Sequence, residues 1–397
     1  MKILKKIILP IMLVCTMLFG IVGVAGCTED EDPAAVKAGK EIAASAYEKI
    51  KYIDANLGDR DCYNGATFKD TQDWIKGLAL DAGYDASAVT TQDVTITKYV
   101  NKNTDLDETY SATKSHETDG KYYTRSGKNY VEDPEGNYVK VEVITENIII
   151  TKAGKSEKQI IVGAHYDGVP EGEHGTASGD NGSGVSLAIT TAEKIVNIET
   201  NYTIKFVFFT AEEIGCVGST AYANAMTAEE VENTLYMINM DSLVCGDYCH
   251  IYGGVANFNE KVVTQTEAFD NAMAIAKDLG LDIRTNPWTW DNVEPDPKND
   301  TGMPKYPSPS TGDWSDHKGF MKRGIKYLYF EATNWDIPGP FNEYDGYGET
   351  ADQGMIMNTE KDYLAFMEEH FPGRIQHHLS QFAPLLYSLV TQTEVKF

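Results

Sequence analysis

The stretch Ile160-Ile161-Val162-Gly163-Ala164-His165-Tyr166-Asp167 decides the fold that this sequence predicts. Its first five residues are apolar without interruption, which is typical of a strand buried on both faces of a parallel sheet. The run Phe206-Val207-Phe208-Phe209 predicts a second strand of this kind, and residues 235–238 and 325–330 predict two more. The sequence therefore contains the core strands of a sheet that is covered on both sides.

Helical patterns lie between and around these strands. Apolar residues recur at helical spacing from Val185 to Val196, between the first two strands, and again from Ile375 to Leu389. Two amphipathic helices are predicted earlier, over residues 42–57 and 68–82, and Gly83 follows the second as a C-terminal cap.

The segment from Val89 to Val143 has a different pattern. Its apolar and polar residues alternate, which predicts antiparallel strands with an exposed hairpin insertion at about 103–140. Turn-like residues occur at 126–129 and 133–137. Taken together, the elements predict an α/β fold: a three-layer α/β/α sandwich with a central mixed, largely parallel sheet.

Composition excludes several classes of protein. The chain has 397 residues, of which 42% are hydrophobic and 24% charged, unlike disordered, collagen-like or coiled-coil sequences. The 34 basic and 60 acidic residues give a net charge of −26, which opposes binding to a phosphate backbone. We therefore expect a globular protein without a nucleic-acid partner.

The first 27 residues form a separate segment. Three lysines precede an apolar run from Ile7 to Val24, which predicts a secretory signal peptide. The ending Val24-Ala25-Gly26-Cys27 resembles the lipobox of bacterial lipoproteins, which implies that cleavage leaves Cys27 as a lipidated N-terminus. This predicts export and lipid anchoring on the extracytoplasmic face of a bacterial membrane. A retained membrane-spanning helix is the alternative.

After this segment, residues 28–33 form a linker, and residues 34–397 form one domain.

The remaining cysteines lack the paired spacing of a structural zinc site. They are Cys62, Cys216, Cys245 and Cys249. In an exported protein Cys245 and Cys249 could close a small disulfide loop or stay free, and the sequence leaves both possibilities open.

Polar side chains follow three of the buried strands, at the point where each strand ends. In chain order they are His165, Asp167, Glu212, Glu213 and Asp241. Asp180, in the Gly-rich segment 178–184 between the first strand and its helix, belongs to the same group. The carboxyl ends of parallel strands meet at one edge of the sheet, where ligands bind. We therefore expect these side chains to converge.

Carboxylates packed this closely repel one another, and burying them unpaired costs several kcal/mol. Divalent cations relieve that cost. Nitrogen and oxygen ligands without cysteine suit Zn, Mn or Co, and two metals about 3.5–4 Å apart can share such a cluster.

Four motifs resemble those of the co-catalytic zinc aminopeptidase family, which includes glutamate carboxypeptidases and, by fold, glutaminyl cyclases. The motifs are Gly163-Ala164-His165-Tyr166-Asp167, Ser178 to Gly184, Ala211-Glu212-Glu213-Ile214-Gly215 and Asn239-Met240-Asp241. The close similarity covers residues 159–245, and looser similarity extends from the first helices to Phe397.

The resemblance implies one or two zinc ions and a role for each motif residue. His165 and Asp241 would bind the first metal, Glu213 the second, and Asp180 would bridge the two. Glu212 would be the general base, taking a proton from the metal-bound water and delivering it to the leaving amine. Asp167 would hold the ring N–H of His165. The Asp180-Asn181 peptide would be cis.

One position departs from the family pattern. The family's last ligand is a His, but the matching segment Met357-Asn358-Thr359-Glu360-Lys361-Asp362 has Asn358 there, and an amide oxygen is a poorer zinc ligand. The second metal is then weakly held or absent, or another histidine substitutes, or the segment aligns differently. The candidate substitutes are His370, His377 and His378.

A further pair, Asp316 and His317, matches a Ser-Asp-His sequence that the family carries just before a strand. The resemblance implies that the pair contributes to the substrate pocket, and the alternative is a hydrogen-bonded loop pair.

The sequence Gly215-Cys216-Val217-Gly218-Ser219 is not the Gly-x-Ser-x-Gly of a nucleophilic hydrolase.

These observations predict a metal-dependent exopeptidase, an aminopeptidase that removes N-terminal residues from peptide substrates. The preference for a free amine is implied by the family alone. The alternatives are a carboxypeptidase or amide hydrolase of the same fold, and a surface binding protein that has lost turnover through Asn358.

Overall fold

A mixed sheet forms the middle layer of the molecule. The computed structural model describes residues 33–63, 65–101, 110–111, 121–123, 130–132, 138–169, 175–291, 293, 306–337 and 348–395. From Pro33 onward the chain forms one compact unit. The predicted signal segment with Cys27, and the two turns at 126–129 and 133–137, lie outside the described residues.

Twelve strands occur in the described part of the chain. They are β1 (Val89–Asn101), β2 (Tyr110–Ser111), β3 (Lys121–Tyr123), β4 (Tyr130–Glu132), β5 (Tyr138–Lys152), β6 (Ser156–His165), β7 (Tyr202–Phe209), β8 (Thr234–Met240), β9 (Tyr248–Tyr252), β10 (Val255–Asn257), β11 (Val262–Thr264) and β12 (Tyr327–Thr333).

Eight of these strands form the main sheet, in the order β2-β1-β5-β7-β6-β8-β12-β9. The four central strands, β7, β6, β8 and β12, run parallel. The outer strands pair antiparallel, as do β3 with β4 and β10 with β11. The predicted mixed sheet with a parallel centre is confirmed, and so is the antiparallel pairing predicted within 89–143.

Nine helices surround the sheet in the described residues. They are α1 (Ala34–Asn56), α2 (Phe68–Ala82), α3 (Gly182–Ile195), α4 (Val217–Ala225), α5 (Ala228–Asn233), α6 (Glu267–Asp278), α7 (His317–Lys322), α8 (Leu364–His370) and α9 (Arg374–Thr391). The predicted helices are present, and α2 ends at Gly83, whose φ of 106° is left-handed and suits a residue without a side chain. None of the described helices is both long and apolar enough to span a membrane.

Strand β6 shows why the sheet needs helices on both sides. Ile160 and Val162 pack into a core that includes residues of α1, α3 and α9. Ile161, which points the other way, packs with Tyr222 of α4 and Phe320 of α7. Alternate side chains of a strand face opposite sides of a sheet, so an uninterrupted apolar run is stable only between two helical layers.

Two sequence predictions are refined by the structure. The last central strand starts at Tyr327 rather than at 325, because the N–H of Ile325 bonds back to the carbonyl of Phe320 at the end of α7. Cys245 and Cys249 are both buried, and no disulfide joins the pair.

The parallel centre brings three strand ends to one edge. His165 at the end of β6 is level with Phe209 at the end of β7, and Gly163 is level with Asn239 near the end of β8. The residues that follow these strands therefore project from the same edge, as the sequence predicts.

Candidate metal centre

The predicted ligands come together at this edge of the sheet. The ligand atoms of His165, Asp180 and Glu213 all lie within 4.8 Å of one another. His165 Nε2 lies 3.2 Å from Asp180 Oδ1 and 3.2 Å from Asp241 Oδ1. Four side chains from four separate segments thus face one point. Each is buried except Glu213, which is half-buried.

Their donor set fits a divalent cation. Asp180 Oδ1 and Glu213 Oε1 are buried, and neither accepts a hydrogen bond from the described residues. Leaving a buried carboxylate oxygen without a donor is costly. A cation on these oxygens and on the His165 nitrogen removes that cost, and one imidazole with several carboxylates is a ligand set that zinc accepts.

The pKa values show the same crowding of charge. Burial and the nearby Asp241 carboxylate raise the pKa of Asp180 to about 6. Burial raises the pKa of Glu213 well above its usual range, and Asp180 adds to the rise. Asp241 differs: burial raises its pKa, but His165 and the hydrogen bond from Ser315 outweigh burial, and the pKa ends below its usual value.

Ser315 positions Asp241, a role that the sequence analysis missed. Its hydroxyl donates to Asp241 Oδ2 at 2.7 Å, and the Asn239 amide donates to the same hydroxyl oxygen at 2.7 Å. Ser315 is buried, just before α7. The only signal in the sequence is its place beside Asp316 and His317 in the motif before the last central strand.

Asp362 holds the backbone that carries Asp180. Its two carboxylate oxygens accept the N–H groups of Gly179 at 2.6 Å and Asp180 at 2.9 Å. The Asp180-Asn181 peptide is cis, as the resemblance implies. The Asn181 side chain accepts the N–H of Gly184 and so caps α3.

Glu212 lies in the turn after β7, and its backbone is fixed by Asp167. The Asp167 carboxylate accepts the N–H groups of Glu212 at 3.1 Å and of Glu213 at 3.3 Å. The Cys216 thiol donates to Glu212 Oε1 at 3.2 Å. Burial raises the pKa of Glu212 well above its usual range.

The predicted role of Asp167 needs correction. Its carboxylate lies 3.8 Å from His165 Nδ1, too far for a hydrogen bond. The ring nitrogen instead lies 3.1 Å from the backbone carbonyl oxygen of Asp167. The carboxylate is turned away because the two N–H groups after β7 bind its oxygens, so the side chain orients the Glu212-Glu213 turn.

Asn358 lies in an exposed turn at a left-handed φ of 56°. Its neighbours reach the centre: Met357 Sδ accepts from Ser242 at 3.7 Å, and Asp362 binds the Asp180 backbone. Of the alternative ligands, His370 and His377 are exposed and His378 is buried on α9. The metal-binding group found in the described residues contains none of the three, so substitution by these histidines gains no support.

The pair Asp316 and His317 divides between two environments. His317 stacks on Tyr327 and Tyr329, with ring centroids 4.6 and 5.0 Å apart, and burial lowers its pKa to about 4. It is a neutral packing residue rather than a pocket residue. Asp316 is fully buried, and burial, with the Asp241 and Asp167 carboxylates, raises its pKa to about 7. It belongs to the acidic cluster.

The chain is similar to a known protein family and to a characterised bacterial protein. The sequence pattern of peptidase family M28 matches residues 147–354. The chain is 29% identical over 267 residues to the alkaline phosphatase isozyme conversion protein of Escherichia coli, covering 63% of this chain and 71% of that protein.

Two further similarities concern aminopeptidases. The chain is 29% identical over 182 residues to leucine aminopeptidase 2 of Trichophyton rubrum, covering 46% of this chain and 32% of that protein, so it matches about a third of that relative's length. The structure of a zinc aminopeptidase from Bacillus subtilis superimposes with a TM-score of 0.57 at 16% identity, covering 89% of this chain and 96% of that one. That superposition supports the fold.

Ser315→Ala should weaken zinc binding about 10-fold, because Asp241 loses its hydrogen bond and a positioning contact of this kind typically contributes 10–100-fold. Competition with a chromogenic chelator measures the affinity. Ser310→Ala is the matched control, since the buried Ser310 hydroxyl donates to the Pro307 carbonyl instead. Equal zinc affinity in Ser315→Ala and the parent would show that Ser315 does not position the ligand.

Proposed function

Since the chain belongs to peptidase family M28, we propose that it is a zinc-dependent aminopeptidase that removes residues from the N-termini of peptides. The observation that carries this proposal is the convergence of His165, Asp180, Glu213 and Asp241. The Glu212 carboxylate lies close enough to interact electrostatically with His165 and Asp241. Ligands for a cation and a base of raised pKa lie at one edge of the sheet, which is the arrangement that metal-assisted hydrolysis requires.

Each residue has a defined task in this reaction. Bound zinc supplies Lewis-acid polarisation of the scissile carbonyl and lowers the pKa of the attacking water. Glu212 accepts the proton of that water and later delivers it to the leaving amine. Asp167 fixes the backbone of the turn that carries Glu212, so the carboxylate is oriented before substrate arrives.

The charges around the site favour an aminopeptidase over a carboxypeptidase. A carboxypeptidase needs a cation for the substrate's terminal carboxylate. Of the described basic residues near the site, Lys318 and Lys322 lie 3.9 and 3.6 Å from Asp313 Oδ2, and Arg323 and Arg60 donate to backbone carbonyls. An acidic cluster suits the α-ammonium group of a peptide N-terminus instead.

Glu212→Gln tests the mechanism. The variant should keep its fold and zinc while kcat falls by at least two to three decades, because the amide cannot accept the proton. Hydrolysis of aminoacyl chromogenic substrates and elemental analysis of bound zinc measure the two effects.

Glu213→Gln is the matched comparison, since the same substitution one residue later removes a proposed ligand and should lower bound zinc. Unchanged hydrolysis in Glu212→Gln would overturn the proposed mechanism. A parent protein that binds zinc but hydrolyses no peptide would favour the surface binding protein.

The number of zinc ions is tested at Asn358. Asn358→His should raise the zinc bound per chain, because imidazole is a better zinc ligand than an amide and His tolerates a left-handed φ. The control is Asn358→Gly, which also fits that φ but supplies no ligand. Equal zinc content in all three proteins would mean that position 358 is not a ligand position.

We also propose that Cys27 carries a lipid anchor, on the strength of the Val24-Ala25-Gly26-Cys27 sequence. In a bacterial host, Cys27→Ser should move the protein from the detergent-rich to the aqueous phase after phase partition. Cys15→Ser, which changes a cysteine inside the apolar run, should leave the partition unchanged. Identical partition of Cys27→Ser and the parent would count against lipidation at Cys27.

A further inference from the structure

Arg60, in the loop between α1 and α2, is buried with 1% of its surface exposed. Its guanidinium donates four hydrogen bonds, all to backbone carbonyl oxygens. The acceptors are Leu57 at 2.7 Å, Tyr166 at 3.0 Å, Thr176 at 3.1 Å and Ala177 at 2.6 Å. Burying a charged side chain costs free energy, and here the hydrogen bonds go only to neutral carbonyl groups, so the position of Arg60 needs a physical reason.

The acceptors explain where this residue acts. Tyr166 lies between the ligand His165 and the orienting residue Asp167, while Thr176 and Ala177 lie shortly before the ligand Asp180. Arg60 therefore joins the segment that follows β6 to the segment that leads into α3. Its own carbonyl strengthens the link, because it accepts the N–H of Gly168 at 3.1 Å.

The positive charge of Arg60 interacts electrostatically with the carboxylates of the metal centre. Burial lowers the pKa of Arg60, while the carboxylates of Asp362, Asp167, Asp180 and Glu213 raise it. A guanidinium stays protonated in proteins. The acidic cluster thus offsets part of the cost of burying the cation, and the cation offsets part of the repulsion within the cluster.

We propose that Arg60 is a positioning residue that sets the separation of His165 and Asp180 and thereby the zinc affinity of the site. This inference rests on the zinc site proposed above. The planar fork of a guanidinium directs its N–H groups to fixed points, and three of its four acceptors are carbonyls of the two ligand-bearing segments.

Arg60→Lys separates geometry from charge, because an ammonium group keeps the charge but cannot reproduce the fork. We expect its zinc dissociation constant to rise at least 10-fold, within the range known for residues that orient metal ligands. Arg323→Lys is the matched control. Arg323 also donates to three backbone carbonyls, those of Ala223, Asn224 and Met226, but these belong to the end of α4 and the residue after it.

A second variant tests the same separation without changing Arg60. A Cβ added at Gly168 would lie 2.9 Å from the Cβ of Ala177, so Gly168→Ala pushes the two segments apart. It should weaken zinc binding in the same direction. Gly77→Ala is its control, since nothing lies within 4 Å of a Cβ built there.

The measurements are zinc affinity by chelator competition and the visible spectrum of the cobalt(II)-loaded protein. A merely structural role would lower thermal stability without zinc but leave affinity and spectrum unchanged; we expect both to change in Arg60→Lys and Gly168→Ala and in neither control. Parental affinity in both variants would overturn the inference and leave the zinc site standing. A parent chain that binds no zinc would instead overturn the proposed function.

Discussion

The structure depends on one electrostatic constraint: several carboxylates are buried together at the carboxyl edge of a parallel sheet. Asp180 and Asp241 each lie 3.2 Å from the same imidazole nitrogen, and the Glu213 carboxylate lies within 4.8 Å of the His165 and Asp180 ligand atoms. Two of these carboxylate oxygens lack a donor in the described residues. Like charges in a poorly solvated place raise one another's pKa and destabilise the fold unless cations or donors compensate. The elements around this edge supply that compensation.

Compensation comes in two forms. Acidic side chains that do not face the cation position accept backbone N–H groups, as Asp167 does after β7 and Asp362 does before α3. Arg60 is a buried cation: its N–H groups bind backbone carbonyls, and its positive charge interacts electrostatically with the carboxylates. Asp362 and Arg60 bind the backbone that leads to Asp180, and Asp167 binds the backbone of Glu212 and Glu213. These hydrogen bonds orient the segments that carry the ligands.

Much of the site was predictable because each motif follows a strand whose burial is visible in the sequence. Ile160 to Ala164 has the pattern of a buried strand, and parallel strands bring their ends to one edge, so His165, Glu213 and Asp241 were expected to converge. Ser315 and Arg60 carry no such signal. A serine or an arginine in a loop is usually solvated, and their burial follows only from the packing of α7 and α1 against the sheet.

The sequence by itself determined the central strands, the helices between them and the residue types at the strand ends, because periodicity and strand termini are local properties of the chain. The tertiary structure decided the partner of each side chain. Asp362 binds an N–H group 183 positions away, the Asp167 carboxylate turns from the ring of His165 to the turn after β7, and His317 stacks on two tyrosines of β12. Such choices depend on distances between segments that are remote in the chain, and these distances exist only once both helical layers have packed on the sheet.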